Sequence, residues 1–367
     1  MMFQSPPRAY VEVDLEAIAH NLDIVRQSQC DAMLMPVVKA EAYGHGLVNV
    51  ARRLDRDGIS FFGVANAGEA RRLSLAGIRT PAFILGPSFP EERAEIVHHA
   101  WGCTASCLEE LDHFNQLAQA EGCVFKLHLA LDTGMGREGF LPEQLPTLIP
   151  FVKGLANIKV TGVMTHCPCA DEDVPFTQQQ LQLFAQCVAE LEPHFDLKYR
   201  HVAASAALLG YDVPCANLLR PGLVLYGVAP LASVYEGVLR PTMRLYARIT
   251  LVRELPAGHG VSYGRCQILD KPTRVATLGI GYADGWFRSL SGAGVQLSIQ
   301  GKNCTMMGRV TMDQIMVDVT DLPEVKSGDI ACLIGPHQGV EAVARLANTI
   351  PWEILTGIGS RVPRYYH

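Results

Sequence analysis

Eight short apolar runs, each followed by a turn or an amphipathic stretch, recur through the first two thirds of this 367-residue chain. They lie around Met33 to Val38, Ser60 to Ala65, Ala82 to Leu85, Gly102 to Ala105, Val124 to Leu131, Lys159 to Thr165, Arg200 to Ala203 and Leu218 to Leu225. Apolar runs of this length between turn residues read as buried strands. Helical patterns such as Thr177 to Leu191 fill the gaps, and Asp14 is placed to cap a first helix through Ser28. Eight β/α units in a row is the count of a closed parallel (β/α)8 barrel. A doubly wound open sheet is the competing architecture, but no Gly-x-Gly-x-x-Gly follows an early strand.

From Arg240 onward the texture changes. Leu245 to Leu255, Arg274 to Ile280, Val295 to Ile299, Met316 to Val319 and Ile330 to Ile334 are β-branched runs separated by glycine, proline or aspartate turns. The expected organisation is a TIM-like barrel over residues 1–236 and a mostly-β domain over 237–367. Tyr10 to Val13 also has strand character, which makes residues 1–13 candidates to pair with the β domain.

Bulk properties exclude several classes of function. Hydrophobic residues make up 49% and charged residues 19%, so a sizeable core is expected and disorder is not. A net charge of -6 gives no support for nucleic-acid or membrane binding. Apolar stretches such as Pro221 to Ala232 are broken by glycine and proline, against a membrane span. The eleven cysteines form no disulfide framework and no basic-then-apolar leader is seen, which points to a reducing, cytoplasmic protein. His98, His99, Cys103 and Cys107 are metal ligands by type, as are His166, Cys167 and Cys169, but neither group has a Cys-x-x-Cys pair. Ser106 to Glu109 matches a helix capping box instead, and no metal site is expected.

A barrel places its chemistry just past the C-terminal ends of its strands. Lys39 follows the first strand and opens a glycine-punctuated turn that reads as flexible. Removing an ammonium from water lowers its pKa and makes the amine nucleophilic, so Lys39 is a candidate cofactor-linking or proton-transferring residue. A lysine that snorkels to the surface is the plainer alternative, and the local spacing leaves both open. Asp132 to Arg137 follows the fifth strand, His166 the sixth and Ser205 the seventh, and Arg220-Pro221-Gly222 lies at the eighth. Backbone N–H groups after the last two strands are a common phosphate cradle in such barrels.

Val37-Val38-Lys39-Ala40-Glu41-Ala42-Tyr43-Gly44-His45-Gly46 resembles the cofactor-lysine signature of the alanine racemase family. The resemblance extends, in family order, through Asp132–Arg137, Gly162–His166, Arg220–Gly222, Gly258–Arg265, Gly281–Gly285, Gly308–Gln314 and Arg361–Arg364, nearly end to end. It implies an enzyme that uses pyridoxal phosphate on a barrel plus β-domain fold. Racemising an amino acid needs a proton removed from one face of Cα and returned to the other, hence two acid/base groups.

By resemblance Lys39 carries the cofactor and acts on the D-enantiomer, and Tyr263 acts on the L-enantiomer. A tyrosine of ordinary pKa, about 10, is a poor base at neutral pH. The family links tyrosine, histidine and arginine in one chain, which assigns its activation to His166 and Arg220. Arg220 faces the pyridine nitrogen, supported by His201. Tyr43, Ser205 and the backbone of Gly222 and Leu223 hold the phosphate. Arg137 touches cofactor and substrate carboxylate, the Met312 N–H binds that carboxylate, Tyr282 narrows the entrance, and Asp313 supports its loop. The family completes each barrel site with the β domain of a second subunit, which implies a homodimer.

Four positions depart from the family pattern: Glu41 replaces the usual asparagine, Ala130 a frequently carbamylated lysine, Ala204 an asparagine, and Ser360 a tyrosine found in some members. The carbamate is an anion that orients the arginine corresponding to Arg137. Its loss predicts another counter-ion, either bound chloride or Glu41. The same changes leave open a racemase of serine or of a broader range of small amino acids. A degenerate pyridoxal-phosphate binder without useful turnover is the reading from another class; the presence of both Lys39 and Tyr263 argues against it.

Overall fold

The structure is a computed structural model that describes residues 6–28, 31–202, 205, 210–211, 213, 215–229 and 237–367. The chain divides into two compact units. One contains Ile18–Ala42 and Leu47–Arg240; the other contains the segment ending at Ala17, Tyr43–Gly46 and Pro241–His367. The chain opens with β1 (Ala9–Val13), and Asp14 Oδ1 accepts the Ala17 N–H at 2.8 Å to cap the helix Leu15–Ser28.

The first unit is the parallel barrel. Its strands are β2 (Met33–Leu34), β3 (Phe62–Val64), β4 (Ala82–Ile84), β5 (Gly102–Ala105), β6 (Phe125–Ala130), β7 (Ile158–Met164), β8 (Tyr199–His201) and β9 (Leu218–Leu219). β3 to β8 pair in sequence, all parallel, and β2 pairs with β9. Two joins complete the ring. Val38 N–H donates to Gly63 O at 2.8 Å, and Asn217 N–H donates to Arg200 O at 2.9 Å. Eight strands thus close, as the sequence pattern predicts. The run Leu218 to Leu225 is only partly strand: after β9 it turns into the 3-10 segment Leu223–Tyr226. Ala203, expected at the end of β8, lies outside the described residues, as does Ala204.

Parallel partners share a face, so the register Thr104↔His128, His128↔Gly162 and Gly162↔Tyr199 sets these side chains at one level of the interior. Gly162 is required there: a Cβ would lie 2.8 Å from the His128 ring and 2.6 Å from Tyr199 O. Phe83 packs on His128 with ring centroids 4.7 Å apart. One helix start differs from expectation. The helix Leu108–Ala120 begins after Cys107, and it is Glu110, not Glu109, that reaches back, accepting the Ser106 N–H at 2.7 Å. Ser106 Oγ makes no cap.

The second unit is mostly β. Its strands are β10 (Met243–Leu255), β11 (Gly260–Val261), β12 (Gln267–Ile268), β13 (Thr273–Leu278), β14 (Gln296–Ile299), β15 (Lys302–Met307), β16 (Ile315–Asp318), β17 (Ile330–Ile334) and β18 (Arg364–Tyr366). The order β13-β16-β15-β14-β17-β10, with β10 also pairing to β13, closes six strands into a barrel. β1 lies antiparallel to β10, and β18 lies parallel to β1. β15 is absent from the sequence reading because Lys302 to Thr305 is polar. The two-residue turn Gln300-Gly301, both at positive φ, folds it onto β14 as a hairpin.

Candidate active site

Lys39 stands two residues past Val37, whose backbone bridges to Gly63 at the end of the first barrel strand. The turn it opens is not a flexible glycine turn. Ala40, Glu41, Ala42 and Tyr43 have φ of 53°, 57°, 52° and 53°, a left-handed helical turn built from four non-glycine residues. Each such residue costs roughly 1–2 kcal/mol for an L-amino acid, so the surroundings must hold the turn. Within the barrel unit Glu69 does so from the helix Ala67–Leu75. Its Oε1 accepts the Ala40 N–H at 2.7 Å and its Oε2 the Ala65 N–H at 2.8 Å. One turn along that helix, Arg72 forms an ion pair with Glu41, whose Oε2 also accepts the Leu47 N–H at 3.3 Å. These contacts lie at exposed positions, where solvent screening holds each to about 1 kcal/mol or less, so together they offset part of the strain. Glu69→Gln leaves one acceptor oxygen for two exposed N–H groups and is expected to destabilise the protein by about 1 kcal/mol. A melting temperature equal to the wild type would show that Glu69 does not hold the turn.

The Lys39 side chain is half-buried. Among the described residues its ammonium has no hydrogen bond or ion pair. Burial, then the charges of Arg137 and Arg220, push its pKa down, while Glu69 and Glu138 pull it up. The net effect is an amine at the mouth of the barrel that gives up its proton more easily than a solvated lysine does.

Arg220 is buried and locked. Nη1 donates to His201 Nδ1 at 2.7 Å and to His201 O at 2.8 Å; Nη2 donates to Thr165 O at 2.8 Å and Val202 O at 3.3 Å. Both terminal nitrogens are thereby saturated, leaving Nε–H as the remaining donor of the fork. Arginine only donates, so His201 Nδ1 must be bare and its proton sits on Nε2, which donates to His128 Nδ1 at 2.8 Å. Burial and the Arg220 charge hold both imidazoles far below their ordinary pKa, His128 at about 3. Burial brings Arg220 down to about 10, still charged at neutral pH. His201 supports Arg220 as expected; His128, two residues before Ala130, extends that chain and was not singled out in the sequence.

His166 lies near the same cations. Burial, then the charges of Arg220, Arg137 and Lys39, push its pKa down to about 3, so it is neutral. No hydrogen bond joins it to Arg220, whose bonds go to His201, Thr165 and Val202. Ser205 is buried, and its Oγ accepts the N–H groups of Gly222 at 3.1 Å and Val224 at 3.3 Å. A hydroxyl and backbone donors thus converge past the last two barrel strands, a donor set suited to a phosphate.

Asp132 is structural: its two oxygens accept the N–H groups of Gly134, Met135 and Gly136 at 2.9–3.1 Å, folding the loop that carries Arg137. Arg137 Nη2 pairs with Glu138 Oε1 at 2.8 Å. Glu41 does not neutralise Arg137, because the left-handed turn directs its carboxylate to Arg72.

In the β unit, Tyr43–Gly46 is tied down by Arg364 Nε donating to Gly44 O at 3.0 Å and by His45 bonded to Thr242 Oγ1 at 2.8 Å. Burial raises the Tyr43 phenol to about 12, so it remains a hydrogen-bond donor. Tyr263 follows Ser262, whose Oγ donates to Arg309 O at 2.6 Å, and is 66% exposed. Tyr282 and Met312 come together: Tyr282 N–H donates to Thr311 O and Ala283 N–H to Met312 O, each at 3.0 Å. Asp313 pairs with Arg361 at 2.8 Å.

Comparison with known proteins agrees with this arrangement. The family models described as "Alanine racemase, N-terminal domain" and "Alanine racemase, C-terminal domain" match residues 13–230 and 242–366. An alanine racemase of Carboxydothermus hydrogenoformans is 41% identical over 97% of this chain and 99% of its own length. One of Methylacidiphilum infernorum is 38% identical over 99% and 94%. The crystal structure of alanine racemase from Streptomyces lavendulae superposes with a TM-score of 0.94 at 36% identity, covering 99% of this chain and 98% of that one. The barrel with its mouth-facing lysine and locked arginine, the six-stranded β barrel that follows, and the match along nearly the whole length of these relatives make this chain a member of the alanine racemase family.

Proposed function

We propose that this protein interconverts L-alanine and D-alanine, with pyridoxal phosphate bound through Lys39 and with Lys39 and Tyr263 as the two acid/base groups. The observation that carries the reading is Lys39 itself: half-buried at the end of the first barrel strand, without a bonded partner among the described residues, its pKa lowered by burial and two arginines. The donors present suit the cofactor. Ser205 and the backbone of Gly222 and Leu223 would hold the phosphate, with the protonated Tyr43 phenol as a further donor. When bound, pyridoxal phosphate supplies the electron sink that acidifies the Cα–H bond of the amino acid.

Arg220 has one donor, Nε–H, left for the pyridine nitrogen. A group that only donates leaves that nitrogen unprotonated, and the bare Nδ1 of His201 keeps the guanidinium aimed. Lys39 takes or returns the Cα proton on one face. Tyr263 serves the other face; the bonded chain through His166 to Arg220 that the resemblance implies for its activation is not made here, which leaves the charge of Arg220 as the expected influence. Arg137 and the Met312 N–H, which has no partner among the described residues, receive the substrate carboxylate. Tyr282 limits the side chain admitted.

The active unit is a homodimer in this reading. Tyr263, Tyr282 and Met312 are 66%, 41% and 53% exposed on the β unit, as residues that complete a second subunit's site would be. The setting is cytoplasmic, and the product supplies D-alanine for peptidoglycan. The test is loss of optical rotation with L-alanine and L-serine in parallel. Racemisation of alanine well above serine is expected, and a protein inert toward both would overturn the proposal.

A further inference from the structure

The structure assigns a role to Glu138, the residue directly after Arg137. Its side chain is 5% exposed whereas that of Arg137 is 50% exposed, so a buried carboxylate backs a guanidinium that faces outward. Glu138 Oε1 accepts from Arg137 Nη2 at 2.8 Å. Glu138 Oε2 is buried and has no hydrogen-bond partner among the described residues. A buried carboxylate is costly unless it is paired and its lone pairs are filled.

Three other acids near this end of the barrel are committed elsewhere. Asp132 holds its own loop, Glu69 holds the N–H groups of Ala40 and Ala65, and Glu41 is paired with Arg72. Glu138 also acts on Lys39 and Arg220, so a single buried anion faces three cations. Ala130 has no group with which to provide one.

We propose that Glu138 is the resident counter-anion of Arg137 and a positioning residue for the substrate carboxylate. It neutralises the guanidinium from behind and fixes its direction. Only Nη2 is occupied by this pair, and the remaining donors of the fork stay available to the ligand. The second carboxylate oxygen is set to accept a further N–H when Arg137 closes on that ligand. Because the anion is part of the chain, no exchangeable anion such as chloride is needed beside Arg137. The inference rests on the racemase reading above and adds the means by which its carboxylate-binding arginine is held.

The test compares the wild-type holoenzyme with Glu138→Ala and Glu138→Gln, in gluconate buffer free of chloride and with chloride or formate added. Wild-type kcat and KM are expected to be the same with and without chloride. Glu138→Ala is expected to raise the KM for alanine about 10-fold or more with a smaller change in kcat. Chloride or formate should restore part of that loss and raise the melting temperature of Glu138→Ala more than that of the wild type. Glu138→Gln, which keeps the volume but not the charge, should shift KM the same way and respond less to anions. It carries the test if the alanine variant fails to fold. A wild type that needs chloride would overturn the proposal, as would variants with unchanged KM and no response to anions. A wild type that racemises nothing would instead fall on the functional reading, and is seen before any variant is compared.

Discussion

Lys39→Ala is expected to lower racemisation by about 10⁴-fold or more and to abolish covalent retention of pyridoxal phosphate after borohydride reduction. In the proposed mechanism one amine does two jobs, cofactor attachment and proton transfer on one face of Cα. Its environment serves both. Burial and the neighbouring Arg137 and Arg220 lower its pKa, and the left-handed turn that starts at Ala40 holds its backbone at the barrel mouth. Alanine keeps the turn geometry within reach, because Glu69 still accepts the Ala40 N–H. The loss should therefore be chemical, with melting temperature little changed. Near-wild-type racemisation by the Lys39→Ala protein would remove the basis of the mechanism.

Tyr263→Phe should have the opposite signature. The ring and its exposure are retained, the hydroxyl is lost, and cofactor attachment through Lys39 is untouched. Racemisation is expected to fall about 10²- to 10⁴-fold, with the cofactor's visible absorbance preserved. The discriminating measurement is exchange of the Cα hydrogen with deuterated solvent. Lys39 alone should still exchange D-alanine, while exchange into L-alanine, which needs the tyrosine face, should be lost. Equal losses for both enantiomers would refute the assignment of one base to each face.

Much of this architecture is legible in the chain because strands advertise themselves locally. Gly102–Ala105 and Ile330–Ile334 appear with the same ends in sequence and structure, each a short apolar run stopped by turn residues. β15 is not legible, since its polar first half becomes a strand through a hairpin turn and pairing with β14. The left-handed turn is equally silent. Nothing in Ala-Glu-Ala-Tyr favours positive φ, and its support comes from a carboxylate twenty-nine residues further on. The glycines at 44 and 46 mark an unusual backbone nearby but suggest flexibility, whereas the turn is held at both Glu69 and Glu41.

The sequence by itself determined the fold class, because periodicity and residue type are local properties repeated through the chain. It offered Lys39, Arg137, His166, Ser205 and Arg220 as candidates by their place past strand ends, and Tyr263 by family resemblance. Only the tertiary structure decided which charge answers which. Glu41 turned to Arg72, Glu138 backs Arg137, and Arg220 is locked by His201 and by carbonyls as distant as Thr165, fifty-five residues away. Those pairings depend on strand register and on the handedness of one turn. Both are set by the sum of many weak contacts across the fold, and no window of sequence contains them.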